Sequence, residues 1–229
     1  MQQKFQYRDQ RKAKRHNEIF SIAHLFLSRF TTYRVRHSDK YVGTTPATSK
    51  AVGVVSFGSV RYCPQMSATT ERLLRHMAWA NQRVYDEVKT LPDLALGAYI
   101  VNAEWTAGRI LQHIVSGADW YVFCLTETPW LDIKYPESMA GLNVLQEQLA
   151  EFDAKISSQS ELPDEYMTIT EDGESWQALR STILAQAIYH AAEHRTQLID
   201  ALEAKGFSPV SLDDLDLWKF ETFEREQGS

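Results

Sequence analysis

The chain has 229 residues, a formal net charge of −6, 44% hydrophobic and 24% charged residues, which suits one soluble domain or one domain plus an extension. Its two cysteines, Cys63 and Cys124, exclude a disulfide framework and a zinc-finger spacing and point to a reducing cytoplasm. No apolar run reaches the roughly 18 residues that cross a bilayer, so no membrane role is expected.

Charge divides the chain in two. Residues 1–65 carry 12 Lys and Arg against 3 Asp and Glu, a net of +9. Residues 66–229 carry 12 against 27, a net of −15, and hold all six tryptophans. The acidic body would repel phosphates, which argues against nucleic acid as its partner. In the basic part, "RDQRKAKRHNEIF" leads into mixed apolar and Arg-rich sequence and then into small polar residues. Apart from one amphipathic patch at Ile19–Phe30, no helical or strand period persists. Three readings fit residues 1–65: translated sequence upstream of a true start at Met66, an organelle presequence, or a basic arm for an anionic partner. All three expect a poorly structured basic extension without the main site.

The body reads as four helices. The first runs from about Thr70 to Leu91, with Ser67, Thr69 or Thr70 as its cap and Leu73, Met77, Ala80, Val84, Val88 and Leu91 on one stripe. Pro92 stops it. The second spans about Ala103–Leu125, with Thr106, Ile110, His113, Gly117, Trp120 or Tyr121, and Cys124 in line. The third covers about Met139–Ser157 through Leu142, Leu145, Leu149, Phe152 and Ile156. After a loop, "MTITEDGES" holds a short extended turn around Asp172 and Gly173. The fourth helix, about Ser175–Lys205, lines up Leu179, Ile183, Ala187, His190, His194, Gln197 and Ala201, with Gly206 as its C-terminal cap. The tail "FSPVSLDDLDLWKF" reads as irregular or as a short helix over the others. Four such stripes bury one another in an all-α four-helix bundle over residues 66–229.

His190 and His194 stand one helical turn apart on that inward stripe, with Cβ atoms roughly 6 Å apart, within reach of one metal ion. His113 is a third inward histidine, on another helix. A neutral histidine in a core is costly without a partner. Three imidazoles on one metal leave a coordination position open, the pattern of a catalytic site. The residue after His190 is Ala191, so the metalloprotease motif with its glutamate base is absent. His76 lies beside its stripe and reads as structural or surface. Cys124, eleven residues past His113, is too far along the helix to share a metal and reads as a core thiol. Glu193 and Arg195 face a neighbouring helix or solvent, and Asp119 reads as a surface carboxylate rather than one that supports a metal ligand. Trp79, Trp105 and Trp120 read as core anchors, some of which wall a pocket.

"LLRHMAWANQRVYDEVKTLP", "GRILQHIVSGADWYVFCL", "ILAQAIYHAAEHRTQLIDALEAKGFSP" and "DLDLWKF", in this order over about residues 68–220, resemble the DinB family, the DinB/YfiT-like metalloenzymes. Thr196 stands where the family commonly has Gly. The resemblance implies a four-helix bundle, a divalent metal, usually zinc or nickel, held by His113, His190 and His194, and often a homodimer. Characterised relatives include thiol-dependent S-transferases and a thiol-dependent maleylpyruvate isomerase. The implied function is transfer of a low-molecular-weight thiol to a small electrophile. Metal-hydroxide hydrolysis, a non-catalytic metal-binding or stress-response protein closed by a fourth ligand such as His76, and a metal-free interaction module are the alternatives.

Overall fold

The computed structural model describes residues 65–171 and 173–228. The expectations for residues 1–64, including the Ile19–Phe30 helix, lie outside them. The described chain is mainly helical: α1 (Gln65–Val88), α2 (Ala107–Thr126), α3 (Leu142–Ser158), α4 (Arg180–Glu203) and α5 (Leu217–Gln227), with β1 (Tyr166–Glu171) and β2 (Glu174–Leu179) between α3 and α4. α1 packs on α3 and α4, and α2 packs on the same two helices. No described helix is long and apolar enough to cross a membrane.

The apolar stripes meet in one core. Leu142, Leu145, Leu149, Phe152 and Ile156 of α3 are all buried, as are Met77, Ala80, Val84 and Val88 of α1. Fully burying one such Leu or Phe is worth about 1.5–3 kcal/mol. On α1 the inward leucine is Leu74, at 0% exposure, and Leu73 is only half-buried beside it. Tyr85 is also fully buried, and its hydroxyl donates to the Leu111 carbonyl at 2.7 Å. α1 ends at Val88 rather than Leu91, and a short 3-10 turn at Asp93–Gly97 follows Pro92.

α2 starts at Ala107, later than the stripe alone suggests, because Thr106 is its N-cap: the hydroxyl accepts from the Arg109 N–H at 3.3 Å. The largest departure lies before α4. β1 and β2 pair antiparallel from Tyr166–Leu179 to Glu171–Glu174, where a helix was expected from Ser175. Gly173 turns the chain at φ +87°, a region glycine enters without steric penalty. Ile169 is the inward residue of β1. α4 then starts at Arg180, whose buried guanidinium donates to the Pro163 carbonyl, Gln159 and Glu165 at 2.9, 2.8 and 2.7 Å. At its other end Gly206, at φ +84°, lets the Phe207 N–H return to the Leu202 carbonyl at 3.0 Å. The tail forms α5, capped by Asp216, and packs on α1.

Candidate metal centre

α2 and α4 lie side by side, and this contact assembles the site. His113 comes from the middle of α2, and His190 and His194 from successive turns of α4. Their ring centroids are 5.0 Å (His113–His190), 4.5 Å (His113–His194) and 4.3 Å (His190–His194) apart. One ring nitrogen from each lies within 4.8 Å of the other two. The Nε2 atoms of His113 and His190 are 3.2 Å apart.

Gly117 makes room for this. It stands one turn after His113 on the same face of α2. A Cβ built there would overlap the His190 ring, lying 2.9 Å from both its nitrogens. The glycine in the middle of α2 costs helix stability of about 1 kcal/mol relative to alanine. That cost goes with the space the imidazole occupies.

Burial keeps the three rings neutral. It is the largest influence on each. It lowers His113 to about 3, with His194 and Arg109 nearby adding to the effect. It lowers His194 to about 4, against the opposing pull of the Gln197 oxygen. His190 lies well below the usual histidine range for the same reason, with His194 and His113 adding. Neutral imidazoles are the form that binds metal. Two ligand nitrogens on a tetrahedral zinc at about 2.0–2.1 Å stand about 3.3 Å apart, and the His113–His190 spacing of 3.2 Å fits that edge. The donor set therefore suits a divalent ion.

Trp105, in the segment that leads into α2, packs edge-on against His113 and His194, with centroids at 5.2 and 5.8 Å. Its indole N–H donates to Gln197 Oε1 at 3.0 Å, and the same oxygen lies 3.0 Å from His194 Nδ1. Tyr121 flanks His190 at 5.5 Å.

The other candidates fall elsewhere. His76 Nε2 donates to the Leu215 carbonyl at 2.7 Å, and its ring packs on Trp79 and Phe220. It is a structural link between α1 and the C-terminal segment, not a fourth ligand. Among the described residues, no Cys, Asp or Glu joins the histidine group. Asp119 is buried, not on the surface: its carboxylate accepts from the Leu131 N–H at 2.5 Å and holds the loop after α2. Cys124 is a buried free thiol that burial pushes up to about 12, so it is not a ready nucleophile. Glu193 is exposed, whereas Arg195 is buried and donates to Asn81 Oδ1 at 2.6 Å. A 450 Å³ cavity lined by Trp79, Phe220 and Phe223 between α1, α3 and α5 includes none of the three histidines.

The helical period puts Gln197 on the inward face and Trp105 reads as a core aromatic, but nothing in the sequence joins them. Nor does any sequence pattern signal the Asn81–Arg195 hydrogen bond. No curated protein is significantly similar to the chain. The family model of the DinB family, however, matches residues 66–227, the whole helical body and all three histidines. The chain belongs to the DinB family.

Proposed function

We propose that the chain is a metal-dependent S-transferase that joins a low-molecular-weight thiol to a small electrophile. In this reading residues 66–229 form a four-helix bundle from α1–α4, and His113, His190 and His194 hold zinc or nickel. The observation that supports it is the convergence of three neutral imidazoles within 4.8 Å of one another. A divalent ion bound there would act as a Lewis acid, lowering the pKa of a thiol that shares its open position. The three ligands bring no negative charge, so they leave the ion's full charge available for that task. Trp105 and Tyr121 wall the rings and limit water on that side. The overall reaction forms a sulfur–carbon bond, with the thiol proton released and the leaving group departing with the bonding pair. The same reading takes the protein to be a cytoplasmic homodimer that acts on small molecules, not on nucleic acid or membranes.

Hydrolysis at the same centre is the competing chemistry, and a non-catalytic metal protein is the third reading. The lack of a fourth His, Cys, Asp or Glu in the group among the described residues favours an open site. Elemental mass spectrometry on the full chain tests the first step, beside a variant carrying His113→Ala, His190→Ala and His194→Ala. About one zinc or nickel per chain, lost in the variant, is expected. A panel of thiols and electrophiles then separates transfer from hydrolysis: turnover that needs metal but no thiol would replace transfer with hydrolysis.

A further inference from the structure

Gln197 Oε1 sits between two nitrogens, Trp105 Nε1 and His194 Nδ1, each 3.0 Å away. An indole nitrogen can only donate a hydrogen bond, so the end of the Gln197 amide that faces it must be the oxygen. That assignment does not depend on telling amide oxygen from nitrogen by shape. An amide oxygen only accepts, so His194 Nδ1 must carry the ring proton. A neutral imidazole, the form that binds metal, has one N–H. The lone pair is therefore on Nε2, the nitrogen left for the histidine group. Were the amide to turn over, its NH2 would face Nδ1. The ring proton would then favour Nε2, and the donor atom would be blocked.

We infer that Trp105 is a positioning residue for the metal centre: its indole N–H holds the Gln197 oxygen toward His194 and so selects the tautomer that presents Nε2. Trp105 has no lone pair to offer a metal, and it acts across 92 residues of sequence through one amide. The inference rests on the reading of His194 as a ligand. Its core, the tautomer, is a property of the chain itself. Outer hydrogen bonds of this kind are typically worth 10- to 100-fold in metal affinity.

Two substitutions in the full chain test it. Trp105→Phe keeps the ring and removes the N–H. Gln197→Glu puts an oxygen at both ends, so orientation no longer matters. Zinc affinity is read by competition with a chromophoric chelator at pH 8, and the His194 tautomer by 15N NMR of the metal-free protein. Trp105→Phe is expected to weaken zinc binding at least tenfold and to populate the Nε2–H form. In the Gln197→Glu background the same change should cost less than threefold. Equal losses in both backgrounds would mean that Trp105 matters only by packing, and would overturn the inference. So would a wild-type His194 found with its proton on Nε2, a measurement that needs no variant to fold. A wild type that binds no zinc or nickel yet keeps the Nδ1–H form would overturn the metal reading while leaving the Trp105–Gln197 relay standing.

Discussion

Two polar clusters share the buried interior of these helices and differ in how they are closed. Asp153, Asn81 and Arg195, from α3, α1 and α4, are 2, 1 and 4% exposed. Arg195 donates to Asn81 Oδ1 at 2.6 Å, and Asn81 Nδ2 donates to Asp153 Oδ2 at 2.9 Å. Cation, amide and carboxylate alternate donor and acceptor, and only Asp153 Oδ1 lacks a partner among the described residues. The histidine group has the opposite make-up: three bases and, among the described residues, no carboxylate joined to them. At 3.2 Å the facing His113 and His190 nitrogens can share one proton at most. A hydrogen-bonded relay through Asn81 ties three helices together. A convergence of lone pairs is receptive to a cation.

The largest effect should come from opening the relay. Arg195→Met would leave Asn81 Oδ1 unpaired in the core and remove the cation nearest Asp153, a loss of about 1–3 kcal/mol. Chemical denaturation would measure it. Zinc stoichiometry should stay near one per chain. Its loss would show that the two clusters are not separable.

Gly117→Ala strikes the other cluster. Overlap with the His190 ring costs about 1–3 kcal/mol, and the better helix former offsets about 1 kcal/mol of that. Global stability should therefore fall by about 0–2 kcal/mol while zinc affinity falls at least tenfold in a competition titration. Unchanged affinity would remove His190 from the ligand set.

Protons should distinguish the clusters by sign. The folded pKa of each histidine lies below the unfolded value of 6.5, so below that pH the unfolded chain takes up protons that the fold refuses. For metal-free protein, His194 alone, at 3% exposure, removes about 1.4 kcal/mol per pH unit as pH falls from 6.5 toward about 4. Asp153 runs the other way. Its pKa is raised from 3.8 to about 7, chiefly by burial, so its cost to stability grows from pH 4 and is complete above 7. Thermal melts across pH 4–8 should show the acid-side loss weakened when the three histidines become glutamines. Asp153→Asn should lessen the loss toward pH 7. Equal acid sensitivity in the glutamine variant would contradict the assignment.

The smallest change is a control. Tyr85→Phe removes the hydrogen bond to Leu111, whose carbonyl keeps its helical partner, for about 0.5–1.5 kcal/mol. Zinc affinity should hold within a factor of two. A larger fall would show that the α1–α2 contact also tunes the site.

What is local in this protein was legible in the sequence. The stripe from Leu142 to Ile156 and the turn between His190 and His194 follow from a period of 3.6, which one strand of chain sets by itself. The position of His113 on an inward face followed from the same rule, and Gly206 announced the end of α4. Tertiary structure decided what depends on partners remote in sequence. The segment Glu174–Leu179 is largely exposed, and as a strand it is defined by its pairing with Tyr166–Glu171 rather than by an apolar period. Asp119 and Arg195 are buried because Leu131 and Asn81 meet them there. Trp105 reaches Gln197 only because α2 packs against α4. Periodicity tells a side chain which way to face. The atom it meets there belongs to another element, and only packing brings that atom into reach.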